Sequence, residues 1–317
     1  MVRYALRRTL GALPRVLLVS VLMFVLLQLP EGGPADVYAA DPSASPAAIQ
    51  RIEELWGLDQ PLHVQYLRWL GNVVRGDWGF SFGERRPARD VVMERLGNTL
   101  VLTGGALTVG LVFGVGLGVA TAWARGRAAK GALQLVSVIG MSVPTFWSGT
   151  LVLLFFGVRL GWIPSGGMGT IGGDFSLLDL LRHLAAPAIV LGSVYVAQWS
   201  RFVHAGLEDA MREDYVRTAR AKGRRRPALL LRHAFPNAAI ALVTVLGLEL
   251  PRLVSGAMVT EVVFSWPGLG RLLTDSLLGR DYPVVMASLM ILVVLVIVAN
   301  LATDLTYGLL DPRVRYE

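Results

Sequence analysis

Glu249 and Arg252 lie three residues apart inside an apolar run, a spacing that sets opposite charges on one face of a helix. A lone charge at membrane depth is costly, so such a pair either fixes packing by neutralising itself or faces a wet cavity that a polar solute can use. Both readings stand at this point. Ser142, in Gly140-Met141-Ser142-Val143, imitates an intramembrane serine nucleophile. That chemistry needs a positioned base, and His183 or His204 would have to face it. No glycine-rich helix carries such a histidine, so Ser142 is read as bonding within its own helix beside Pro144. Other chemistries are missing. There are 0 cysteines, which removes thiolate metal sites and cysteine nucleophiles. The two lysines, Lys130 and Lys222, are each followed by glycine, so no phosphate-binding P-loop is present. The 4 histidines are scattered outside any zinc motif, and no metal site is expected.

The elements that position these residues are membrane helices. Hydrophobic residues make up 54% of the 317 and charged ones 17%, against about 25% charged in a typical globular domain. Mean hydropathy is +0.54. Stretches approaching the ~20 apolar residues that cross a bilayer predict six spans, at 9–30, 99–124, 132–158, 183–203, 237–260 and 284–309. The first resembles a signal peptide, with Val37-Tyr38-Ala39 as a cleavage site, but its run is long for one and five spans follow. Of 30 basic residues, 18 fall at the two termini, between the second and third spans and in 201–232. The segment 31–98 has a surplus of acids. The positive-inside rule therefore puts both termini and 201–232 in the cytoplasm and 31–98 outside. The net charge of +7 follows this topology, and no nucleic-acid partner is expected.

Ala106, Gly110, Gly114, Gly118 and Ala122 recur every four residues along the second span. Small residues at that spacing let two helix backbones approach closely in lipid. Pro144, Pro187 and Pro251 predict kinks within or at the ends of spans. The outer segment is either a helical cap on the bundle or a docking surface for a binding protein; Trp56, Trp69 and Trp78 are read as packing residues, and docking is placed on the exposed charges from Glu84 to Arg89.

Residues 207–223 read LEDAMREDYVRTARAKG. Leu207, Met211, Tyr215 and Ala219 form an apolar stripe on an otherwise charged helix, and Gly223 suits its C-terminus. This segment resembles the EAA loop of ABC importer permeases, in which EAA is followed by three residues, Gly, nine residues and I-x-L-P. Ala219, Gly223 and Pro236 match that spacing. Arg217, Thr218, His233 and Phe235 replace the glutamate, first alanine, isoleucine and leucine. The wording DYVRTARAKG is similar to the dipeptide/oligopeptide/nickel branch. So are Leu58-Asp59-Gln60-Pro61, Arg75-Gly76-Asp77-Trp78-Gly79, Ser142-Val143-Pro144-Thr145, Gly161-Trp162-Ile163-Pro164, Glu261-Val262-Val263-Phe264, Arg280-Asp281-Tyr282-Pro283 and Leu310-Asp311-Pro312-Arg313, in that order.

The resemblance implies an all-α, multi-pass plasma-membrane protein of the type I importer permease fold, with six membrane helices. Residues 1–98 would hold the first span and the outer segment, and 99–317 the five-helix core with a coupling loop at 207–236. It implies a second permease subunit, two ATP-binding subunits, an extracytoplasmic substrate-binding protein and membrane lipid as partners. No cofactor is expected in this chain, ATP and magnesium being bound by the partner subunits. Asp214, Tyr215, Thr218, Ala219, Lys222 and Gly223 would contact the ATPases. Ser142, Gln198, Glu249 and Arg252 would line a translocation path worked by alternating access. Di- or oligopeptides lead as cargo, with nickel or another small solute as alternative. A non-transporting scaffold and an intramembrane protease are the readings from other classes.

Overall fold

The computed structural model describes residues 2–27 and 60–310. Trp56, Leu58-Asp59 and the closing Asp311-Pro312-Arg313 lie outside the described residues, as do the side chains of Pro251 and Asp304. Every regular element among the described residues is a helix. They are α1 (Val2–Leu27), α2 (Leu62–Val74), α3 (Ala88–Trp123), α4 (Arg127–Ser142), α5 (Thr145–Val152, continued by π-helical Leu153–Arg159) and α6 (Leu177–Ala210). Then come α7 (Asp214–Ala221), a helical turn at Arg226–Ala228 with π-helical Leu229–Ala234, α8 (Phe235–Val263), α9 (Leu269–Leu278) and α10 (Tyr282–Leu310).

Thr9–Leu26, α3, α6 and Tyr282–Thr303 are each long and apolar enough to cross a membrane. The all-α, multi-pass architecture expected from the sequence is thus present. The span expected at 237–260 falls within the 29 residues of α8, several of whose side chains lie outside the described set. The span expected at 132–158, with a kink predicted at Pro144, is a sharply bent pair, α4 meeting α5 at 98°. Pro144 causes the break. A residue before proline is pushed out of the helical region, and Val143 is extended at φ −89°, ψ 122°. Pro144 also has no N–H for the α4 ladder, and its own carbonyl accepts the Ser148 N–H at 3.0 Å to open α5.

The chain forms two compact units, one of Met1–Asn98 with Gly268–Ile297 and one of Thr99–Pro267 with Val298–Glu317. In the first, Ala88, Val91 and Val92 of α3 bury themselves against Leu269 and Leu272 of α9 and Val284 and Ala287 of α10. Trp78 packs against this cluster, while Trp69 meets Phe24 and Tyr66. A short loop at 80–87 is tied down by Asp281, which is 5% exposed. Its Oδ2 accepts the Ser81 hydroxyl at 2.6 Å and the Gly83 N–H at 3.0 Å. Asp281→Ala leaves both donors without their acceptor. It should cost about 3 kcal/mol, read as a lower melting temperature of the purified protein. On the rim of the same loop Arg86 donates to Glu94 at 2.8 Å, and that hydrogen bond holds its guanidinium above the ordinary arginine pKa.

The second unit is organised by α3 against α6. Trp199 and Leu207 of α6 and Leu102 and Ala106 of α3 are fully buried. The small-residue strip is the seam. A Cβ on Gly110 would sit 2.6 Å from the Trp199 ring, and one on Gly118 2.7 Å from the Ser200 carbonyl oxygen. On α6, Gly192 answers with the Ala106 carbonyl oxygen 2.9 Å from where its Cβ would be. The backbones meet too closely for any side chain, as the four-residue spacing predicts. Near the end of α8, Glu261 is fully buried and accepts the Thr99 hydroxyl at 2.6 Å, fixing α8 to α3.

Candidate functional site

Two features of the second unit carry the chemistry, a short helix between α6 and α8 and a cleft beside it. The helix expected to run through 207–223 is interrupted. α6 ends at Ala210, the chain turns at 211–213, and α7 spans Asp214–Ala221. The interruption resets the helical phase, so the four-residue stripe does not face one way. In α7 Val216 and Ala219 point inward with Leu229 and Met211, whereas Tyr215 is 40% exposed. Gly223 has φ +81° and donates to the Arg220 carbonyl at 3.0 Å, closing α7 with a left-handed residue.

Asp214 and Arg217 pair on the solvent face at 3.1 Å, and Thr218 donates its hydroxyl to the Asp214 carbonyl at 2.9 Å. Lys222 is exposed. Of the residues read from the sequence as one interface, Asp214, Tyr215, Thr218, Lys222 and Gly223 therefore share the outer side. Ala219 faces away from it into the cluster beneath.

The segment is pinned to three helices. Ahead of it, Glu208 of α6 pairs with Lys130 of α4. Within it, Asn237 of α8 donates to the Tyr215 hydroxyl at 2.5 Å. Behind it, Arg226 donates to the Ala122 carbonyl of α3 at 3.3 Å. These anchors join positions 78, 22 and 104 residues apart, which no local pattern links.

The cleft, of about 890 Å³, lies between α3, α4, α6 and α8. Gln198, Arg201 and Arg252 line it, with Ser137 and Ser200 sharing a hydrogen bond of 2.8 Å in its wall. Glu249 is buried behind this surface. Its Oε1 accepts from Gln198 Nε2 at 3.0 Å and from an Arg252 guanidinium nitrogen at 2.9 Å. The structure therefore brings together Gln198, Glu249 and Arg252. Ser142 is apart from them. It is exposed, its hydroxyl donates to the Val138 carbonyl at 2.8 Å, and it does not line the cleft, though its helix neighbours Val138 and Met141 do. Among the described residues no cluster of three or more histidines or carboxylates is placed to hold a metal ion.

Comparison with known proteins matches residues 114–316 to the family "Binding-protein-dependent transport system inner membrane component". Residues 1–103 match "Binding-prot-dependent transport system membrane comp, N-term". The oligopeptide transport system permease protein AppB of Bacillus subtilis strain 168 is 38% identical over 317 residues, covering 100% of both chains. A putative peptide permease protein of Brucella ovis is 40% identical over 99% of both chains. The glutathione transport system permease protein GsiC of Escherichia coli K12 is 38% identical over 100% of both. Among solved structures, an inward-facing form of the MetNI methionine ABC transporter superposes with a TM-score of 0.58 at 20% identity. It covers 70% of this chain and 96% of that one. An amino acid ABC transporter superposes at 0.52 with 17% identity, over 68% and 92%. At these identities the solved structures speak for the fold.

Proposed function

The chain belongs to the binding-protein-dependent transport system inner membrane components, the ABC importer permeases, in its peptide branch, and from that premise we propose that it moves di- or oligopeptides inward by ATP-driven alternating access. The observation that carries this is the α7 segment, pinned to α3, α4 and α8 and presenting Asp214, Tyr215, Thr218, Lys222 and Gly223 outward. A short helix held at both flanks moves as a rigid body with whatever docks on it. In this reading two ATP-binding subunits grip α7, and their closure on ATP pulls the pinned helices and opens the cleft to the outside. ATP and magnesium belong to those subunits, and this chain performs no hydrolysis. A second permease completes the pathway, a binding protein delivers cargo to the outer segment, and both termini lie in the cytoplasm.

The test is reconstitution of the chain with these partners in proteoliposomes and measurement of ATP-dependent uptake of tripeptides. Uptake that needs ATP and the binding protein supports the reading; a chain that purifies without ATPases under conditions preserving other complexes removes it. Within that assay Glu208→Lys should lower uptake about threefold or more by breaking the pin to α4. Lys130→Glu combined with Glu208→Lys should restore it, because the pair is re-formed with signs exchanged.

A further inference from the structure

We propose that Arg201 and Arg252 form a carboxylate-binding station in the wall of the α3–α4–α6–α8 cleft, selecting cargo that carries a free carboxylate such as a peptide C-terminus. The inference rests on the importer reading above and deepens it. Among the described residues, the charged side chains lining the cleft are Arg201 and Arg252, with His204 the remaining titratable group, and no carboxylate lines it. The nearby acid, Glu249, has a side chain only 7% exposed and is occupied by Gln198 and Arg252. It aims Arg252, whose side chain stays 75% exposed, rather than presenting a negative surface.

Arg201 has no such neutraliser. Its guanidinium donates to the sulfur of Met141 at 3.6 Å, and among the described residues no carboxylate pairs with it. A thioether is a weak acceptor. The cleft thus carries one balanced arginine and one unbalanced arginine. A planar guanidinium matches a carboxylate through two parallel N–H···O bonds, which gives direction as well as charge. Gln198 and the Ser137–Ser200 pair add neutral polar groups, and about 890 Å³ exceeds the size of a short peptide.

The test compares ATP-driven uptake of trialanine and of trialanine C-terminal amide by the complete reconstituted transporter, wild type against Arg201→Gln and Arg252→Gln. The binding protein is the same in every sample, so a change in the acid-to-amide ratio reports on this chain. Free-acid uptake is expected to fall about tenfold, with amide uptake changed less than about twofold. Arg201→Lys, which keeps the charge and loses the fork, should give an intermediate ratio and is the variant to read if Arg201→Gln does not assemble. Equal losses for both probes, or an unchanged ratio, overturn the station and leave the importer reading intact. A wild-type transporter that moves neither peptide removes the importer reading and the station with it.

Discussion

Gly118→Val is expected to abolish accumulation of the protein in membranes, and Gly118→Ala to lower its stability by about 1–3 kcal/mol. The added Cβ would lie 2.7 Å from the Ser200 carbonyl oxygen and 2.7 Å from Val203 Cβ. A backbone oxygen in the middle of α6 cannot swing aside as a flexible side chain would, so α3 and α6 must separate. That separation would loosen the contact of Trp199 and Val203 with α3. Gly116, two residues earlier on the same helix, has nothing within 4 Å of its Cβ position. Gly116→Ala should therefore be neutral or gain about 0.5–1 kcal/mol from helix propensity. Membrane yield and melting temperature of the two alanine variants, side by side, separate packing from propensity. Equal melting temperatures would remove the seam as the reason for the glycine strip.

Gly223→Pro is expected to cut ATP-dependent uptake by at least about tenfold while the protein still inserts and the partner ATPases still hydrolyse ATP. Proline fixes φ near −65°, whereas Gly223 sits at +81° and uses its N–H to cap α7. Nothing lies within 4 Å of a Cβ at this position, so the effect is conformational and not a clash. Gly223→Ala separates the two parts of the argument. It keeps the N–H and pays only for the left-handed backbone, about 1–2 kcal/mol, and should retain more uptake than proline. Normal uptake by Gly223→Pro, measured beside hydrolysis in the same vesicles, would remove α7 from the coupling role.

Much of this was legible in the sequence because lipid enforces a simple rule. Hydropathy alone located the helices around Thr9–Leu26, α3, α6 and α10, and the four-residue recurrence of small residues predicted the α3 seam. Proline chemistry pointed to Pro144, although a composition window could not tell a kink from a 98° bend. The amphipathic stripe at 207–223 misled. Its spacing reads as one helix, whereas the turn at 211–213 resets the phase so that Val216, not Tyr215, is buried. Residue type groups Ser142, Gln198, Glu249 and Arg252, and the structure joins the last three while Ser142 bonds within its own helix. Nothing local marks Arg201, because its acceptor Met141 lies 60 residues away.

The arrangement of amines has a practical consequence. One of the two lysine side chains is engaged by Glu208, and the other, Lys222, stands exposed at the end of α7. An amine-specific acylating or bifunctional reagent of short reach should thus find, besides the terminal amine, one well-exposed address in the native chain. That address lies on the segment that the ATPases are proposed to grip. Because the chain also has 0 cysteines, a thiol introduced at any chosen position would be unique as well. A single introduced cysteine therefore makes the protein a two-colour labelling scaffold, with the first colour supplied by the native lysine at the end of α7.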